Sequence, residues 1–377
     1  MALQIRGDLF PGVETAAGLI GSRGLGHQGI GHEGSVGCFG LYSSLPPCST
    51  TGVVRLHLVA PGSRDLFQQA IIESGAVTLR WPDGTEAAAQ GAAFAAALGC
   101  TEAASALGCL RGKTRDQVAA LPLFAPQVSE IAGRTAWLPN VDGLEIPAQP
   151  RTLFEAGLFA QVPSIVGVTR DEAYGSFVTR SFPGGLTAAQ FDAAVAAEFQ
   201  GLATAVLALY PATLEATPLE SLARLVTDGQ FVCEAKRLAR LIDDTRTPAY
   251  LYSYDYVIDD LAPGRAIHGV ESNILFGNDY VPNLFPNHPL EAEDLALHSA
   301  MAGYWSRFIA TGNPSVDDDA VVHWQRFRAP EGRGADRYLV LDRVIRSDER
   351  LREVPCGFWD GLSLRSLLGT LPAAHPD

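Results

Sequence analysis

No apolar run in this 377-residue chain reaches 18 residues, so nothing in it reads as a transmembrane helix. It has no basic excess: 28 Lys and Arg stand against 42 Asp and Glu, a net charge of −14. Nucleic acids and anionic membranes call for a basic face, so neither is an expected partner. Six cysteines are present without a C-x-x-C pair or an accompanying His cluster, which argues against zinc. The first residues, Met1 to Asp8, lack the apolar core of a signal peptide. Internal repeats are absent too. What is there is 47% hydrophobic and 19% charged, the composition of a packed globule with room for one large α/β domain or two smaller ones.

Residues 1–52 differ from the rest. They are rich in glycine, and hydrophobic periodicity is weak at both 2 and 3.6 residues. His27 and His32 fall in this run and read as solvated loop residues. From Val53 the pattern becomes regular. Val53 to Ala60 reads as a strand-to-helix or helical stretch, and Leu66 to Glu73 leads into a buried strand end. Helices are expected over Thr85–Leu98, Thr101–Leu110, Thr114–Leu121, Thr152–Ala160, Thr187–Phe199, Glu220–Thr227, Cys233–Asp243, Glu291–Ala310 and Trp359–Leu368. Ala249 to Tyr256 alternates aromatic with small or polar residues, as a strand does, and Tyr338–Leu341 is a late strand. Alternating strands and helices predict an α/β fold with a mostly parallel sheet.

The chain is organised around Val166 to Phe177. A run of strand-formers, Pro163 to Val168, ends abruptly in Arg170-Asp171-Glu172. A carboxylate at the end of a buried strand needs a partner, because burying it unpaired is costly. A candidate partner follows 96 residues after Glu172 at His268, beside Gly269. An acid at a strand end and a later His fit the second and third members of a hydrolase triad in the order Ser, Glu, His. On composition Asp171 serves as well as Glu172.

Several further motifs occur in order. They are Leu56-His57-Leu58 with Pro61-Gly62-Ser63-Arg64, Ile72-Glu73-Ser74-Gly75, Leu275-Phe276-Gly277-Asn278, Thr311-Gly312-Asn313-Pro314, and Leu351-Arg352-Glu353 with Phe358-Trp359-Asp360. Together they resemble the type-B carboxylesterases, the family that includes the cholinesterases, over residues 53 to 360. The resemblance implies an α/β-hydrolase fold whose N-terminal strands have no counterpart in this text, so a raw sheet edge is expected. It points to Glu172 as the orienting acid and His268 as the general base. It makes Ser74 a buried serine beside the triad, Trp81 an acyl-pocket residue and Phe177 part of the gorge wall. Where the family has Gly after the acid, Ala173 stands here, a departure that would strain the turn. It also implies two disulfides, Cys100 to Cys109 and Cys233 to Cys356. Those would place the chain outside the cytosol, extracellular or periplasmic, whereas an N-terminus without a signal leaves the cytoplasm open.

The front half of the site is not recognisable. No G-x-S-x-G elbow lies near residues 36 to 58, and no Gly-Gly-Gly-type turn supplies oxyanion donors. Counting back from Leu56-His57-Leu58 puts the nucleophile at Cys48; counting forward from Phe39-Gly40 puts it at Tyr42. Prolines 46 and 47 and Thr50 suit neither elbow. Residues 1–52 therefore read as unstructured or as a displaced frame of an esterase gene, with a partial hydrolase domain over 53–377. The expected function is hydrolysis of a small carboxylic ester through an acyl-enzyme, with no cofactor and no metal. The alternatives are a catalytically inactive esterase-like binding domain, a role the same fold serves in adhesion proteins, and a non-functional truncated esterase. The sequence leaves the oligomeric state open.

Overall fold

The structure is a computed structural model that describes residues 4–5, 36–37, 50–75, 81–102, 104–119, 139–175, 178, 182–278, 288–315, 321–327 and 336–361. His27, His32, Tyr42, Cys48 and Phe177, with the expected helix end beyond residue 361, lie outside the described residues. Within 1–49, a two-residue antiparallel pair joins Gln4–Ile5 to Val36–Gly37.

A five-stranded sheet forms the centre: β1 (Ala70–Glu73), β2 (Ser164–Thr169), β3 (Ala249–Tyr254), β4 (Arg337–Leu341) and β5 (Arg346–Glu349), side by side in chain order. β1 to β4 are parallel and β5 is antiparallel to β4. Every residue of β1, β2 and β3 is buried, the signature of a parallel sheet covered on both faces. β5 is exposed throughout, and its Arg346, Asp348 and Glu349 guard that edge against pairing with another chain. At the other end β1 is buried at all four positions, so the expected raw edge is not solvent-exposed.

Side-chain alternation divides the core in two. Ala70, Ile72, Val166, Val168, Ala249 and Leu251 face one cluster, which includes residues of helices Thr50–Val59, Pro150–Glu155 and Cys233–Asp244. Ile71, Ile165, Tyr250, Tyr252, Tyr254, Leu339 and Leu341 face the other, under Trp305 and Phe308 of helix Ala292–Thr311 and under Trp324. Tyr252 stacks within 5.4 Å of Trp305 and 6.1 Å of Trp324. Its ring crosses back over Gly167 on β2, where a Cβ would sit 1.8 Å from Tyr252 Cε1. Only glycine fits there.

Several helices start where a cap dictates. Asp83, Thr187 and Thr217 each accept from the first-turn N–H groups in a full capping box. Helix Pro218–Val226 does not stop at residue 227 but runs through a π-helical turn, Thr227–Val232, into helix Cys233–Asp244. The expected 101–110 helix is shorter, Ala106–Arg111, and helices Ala203–Leu209 and Val270–Phe276 and strand β5 were not anticipated. The last helix starts earlier than expected, at Glu353.

Cys100 is bonded to Cys109, and Cys233 to Cys356, 123 residues apart. One stretch, Ala188–Leu209, is long and apolar enough to cross a membrane by length and composition. It is two helices broken at Gln200, carries Asp192 and Glu198, and packs Phe191, Val195, Phe199 and Val206 into the core.

Candidate active site

The C-terminal ends of parallel strands are where an α/β sheet binds ligands, and the predicted acid and base meet there. After β2, the chain turns at Asp171 to Gly175. Asp171 N–H donates to Ala266 O at 2.9 Å, and Ala266 N–H donates to Asp171 Oδ2 at 3.0 Å. This two-way clasp fixes the loop that carries His268. Arg170, Arg224 and Arg265 also pair with Asp171, so that carboxylate is committed to holding the loop. Glu172 faces inward, wholly buried, with Oε2 2.5 Å from His268 Nδ1. Its other oxygen accepts from Ser74 Oγ at 2.6 Å and from Thr169 N–H at 2.8 Å.

The turn takes its left-handed position at Gly175 (φ 84°), not at Ala173. Ala173 is buried and donates its N–H to Thr227 Oγ1, so the expected strain there does not arise. Gly269, φ 84°, follows His268 and starts helix Val270–Phe276 with no side chain in the way. Ser74 is the strained member: a non-glycine at φ 54°, directly after β1. That conformation carries its hydroxyl to Glu172.

Glu271 is a site residue that the sequence pattern does not single out. It sits three residues after His268 on the same helix start, buried, with Oε1 3.2 Å from Ser74 Oγ. Glu73 is a third buried carboxylate nearby, accepting from Trp305 Nε1 at 2.9 Å and Ser272 Oγ at 3.2 Å. Burial, with the charges of Glu172 and Glu73, pushes the Glu271 carboxyl up to about 8. Like charges this close do not all ionise, and Glu271 is the one that keeps its proton. A single Ser74 hydrogen cannot serve two carboxylates. The consistent arrangement has Glu271 donating to Ser74 Oγ and Ser74 donating to Glu172. Burial alone would pull the His268 imidazole down; the charge and hydrogen bond of Glu172 outweigh burial and raise it above its ordinary value.

The π-helical turn closes the site from one side. Thr227 receives the Ala173 N–H, and the Phe231 ring lies 5.7 Å from the His268 ring. Asp228, between them in sequence, accepts from Tyr210 OH at 3.3 Å, and Trp359 Nε1 donates to that hydroxyl at 2.9 Å. Burial pushes Asp228 up to about 7 against the pull of Arg224.

Trp81 is wholly buried, in the core cluster that Val166, Val168 and Leu251 face. Its backbone is clasped by Gln149, N–H to Oε1 at 3.0 Å and O from Nε2 at 2.8 Å. Among the described residues, no group of three or more His, Cys, Asp or Glu is arranged to hold a metal ion.

A mostly parallel sheet with helices on both faces, an acid after β2 and a histidine after β3, defines an α/β-hydrolase fold. The chain belongs to the carboxylesterase family, whose sequence profile matches residues 51–359. It is 28% identical over 323 residues to the cAMP-regulated D2 protein of Dictyostelium discoideum, covering 80% of this chain and 56% of that protein. It is 25% identical over 330 residues to acetylcholinesterase of Bungarus fasciatus, covering 81% and 53%. With human neuroligin-2 it shares 27% over 344 residues, covering 81% and 40%. The chain thus spans about half the length of the curated relatives it matches.

Proposed function

We propose that this chain carries the acid–base half of a carboxylic ester hydrolase, with His268 as general base and Glu172 as its orienting acid. The observation that carries the reading is the 2.5 Å contact between Glu172 Oε2 and His268 Nδ1, with Glu172 wholly buried and its other oxygen held by Ser74 and Thr169. With Nδ1 engaged by Glu172, Nε2 is the nitrogen that takes the proton of an attacking hydroxyl or thiol. The nucleophile's oxygen or sulfur then bonds to the ester carbonyl carbon, and His268 returns the proton to the departing alcohol. Water repeats the sequence to release the acid. Glu172 stabilises the imidazolium in both halves, and Ser74 with Glu271 holds Glu172 in line. The substrate class is a small carboxylic ester; Trp81 and Phe177 are the residues proposed to shape its pocket. The two disulfides fit an oxidising compartment, outside the cytosol.

A fluorophosphonate probe tests the reading. The expected result is one covalent adduct, mapped by mass spectrometry to residues 40–55 and abolished in His268→Ala. A folded chain that takes no adduct would overturn hydrolysis. It would favour the second reading, a non-catalytic binding domain of the same fold, which the unrecognisable elbow supports.

A further inference from the structure

Between helices Thr50–Val59, Pro150–Glu155 and Cys233–Asp244 lies a buried cluster of polar groups, of which the ester reading uses only Trp81. Arg55 is wholly buried, and none of its three guanidinium nitrogens has a hydrogen-bond partner among the described residues. Its carbon lies 6.0 Å from the centre of the Trp81 ring, and Trp81 Nε1 is also buried without a partner. Arg151 donates from Nε to Glu155 at 2.7 Å, but its Nη1 is buried and unpartnered. Glu234 accepts from Arg237 through Oε1, while its Oε2 has no partner.

The inventory is lopsided. Five buried nitrogens (three from Arg55, one each from Trp81 and Arg151) seek acceptors, against one oxygen, Glu234 Oε2. The charge left over is that of Arg55: Arg151 pairs with Glu155, and Arg237 with Glu234 and Asp360, whereas Arg55 has no ion pair among the described residues. Burial lowers Arg55 only to about 10, with the charge of Glu234 opposing the fall, so Arg55 is a cation at neutral pH. Burial pushes the Glu234 carboxyl up, which weakens the negative charge that faces Arg55. Buried cations are paired or they are costly. A water molecule accepts two hydrogen bonds but leaves the charge uncompensated. A small anion satisfies donors and charge together.

We propose that this cluster is a binding site for a small monovalent anion of halide size, held by the guanidinium groups of Arg55 and Arg151 and the indole N–H of Trp81. The site is structural: it lies under helix Thr50–Val59 and fixes that helix to the domain. It shares Trp81 with the proposed ester pocket and needs no part of the acid–base machinery.

Bromide is the probe. In crystals of the full chain grown in sodium bromide, anomalous diffraction at the bromine edge should show a peak within hydrogen-bond distance of the Arg55 guanidinium. In solution, thermal unfolding in sodium bromide, with sodium gluconate making up constant ionic strength, should show a saturable rise in Tm. About 3 °C is expected at ten times the dissociation constant. Arg55→Met keeps the length of the side chain and should abolish the rise. If that variant does not fold, the diffraction experiment decides alone. A map with no bromide at Arg55, or with a carboxylate of the chain bonded there instead, overturns the proposal. So does a Tm that does not distinguish bromide from gluconate.

Discussion

Replacing Glu172 by Gln keeps the side chain's shape and removes the charge that holds a proton on His268. With that charge gone, burial dominates, and the His268 pKa should drop, as a histidine-resolved NMR titration would register. If the chain hydrolyses esters, kcat should fall by about 10⁴-fold, the scale seen when an orienting carboxylate becomes an amide. A titration that does not move would mean that Glu172 does not govern His268. Three groups with raised pKa values also give stability a common pH slope. His268 is raised, so its contribution is complete below its unfolded pKa near 6.5 and is lost as pH rises through the higher folded value. Glu271 is raised from 4.5 to about 8 and Asp228 from 3.8 to about 7. Over those windows the folded chain holds protons that the unfolded chain has released, so stability declines as pH rises. Urea midpoints should therefore fall between pH 5 and 8, and Glu271→Gln should flatten the fall. An unchanged slope would put the proton elsewhere.

Between β2 and β3 the register places Gly167 opposite Tyr252, and a Cβ at 167 has no room beside that ring. Gly167→Ala should lower stability by about 3 kcal/mol or more in a urea titration, an overpacking effect. Adding Tyr252→Leu should recover part of it; no recovery would mean that the ring is not the obstacle. Elements of this kind were legible to the extent that their pattern was local. The Pro163–Val168 run, the aromatic alternation of Ala249–Tyr254, and the Thr187 and Glu291 starts all announce themselves in a few residues. β5 did not, because Arg346–Glu349 is exposed on both faces and shows no hydrophobic period. Nor did the π-helical turn, where Thr227, Asp228 and Gln230 are buried polar residues explained only by their distant partners. The site divides along the same line. Glu172 and His268 stood out by position, next to a strand end and a glycine. Glu271 did not, since its role depends on Ser74 and Glu172, 197 and 99 positions earlier in the chain.

At the scale of the whole molecule, the two bridges should differ in weight. Cys233–Cys356 closes a loop of 123 residues and Cys100–Cys109 one of 9. By chain entropy the long bridge contributes on the order of 4–5 kcal/mol and the short one about 3 kcal/mol or less. Cys356→Ser should therefore lower the urea midpoint more than Cys109→Ser; the reverse order would show that local packing outweighs loop closure. The text before Val53 invites a different measurement. Sequencing the DNA upstream and within that stretch should reveal an intact G-E-S-A-G codon run in another frame. Its absence would remove the displaced-frame reading and leave the Gly-rich segment native.

The turn at Thr227–Val232 touches the Glu172 loop through Thr227 and His268 through Phe231, and it is itself held from behind by Trp359 against Gly229 and by the bridge to Cys356. A ribosome delivers these parts in order, and the brace comes last. When His268 leaves the exit tunnel, its neighbours Glu172, Ser74 and Phe231 have already emerged, yet nothing behind the turn exists to hold them together. The site of this protein is therefore finished late in synthesis, once residues 353–361 have emerged and docked. A nascent chain paused anywhere before them carries Glu172 and His268 without the brace behind the turn that packs against them.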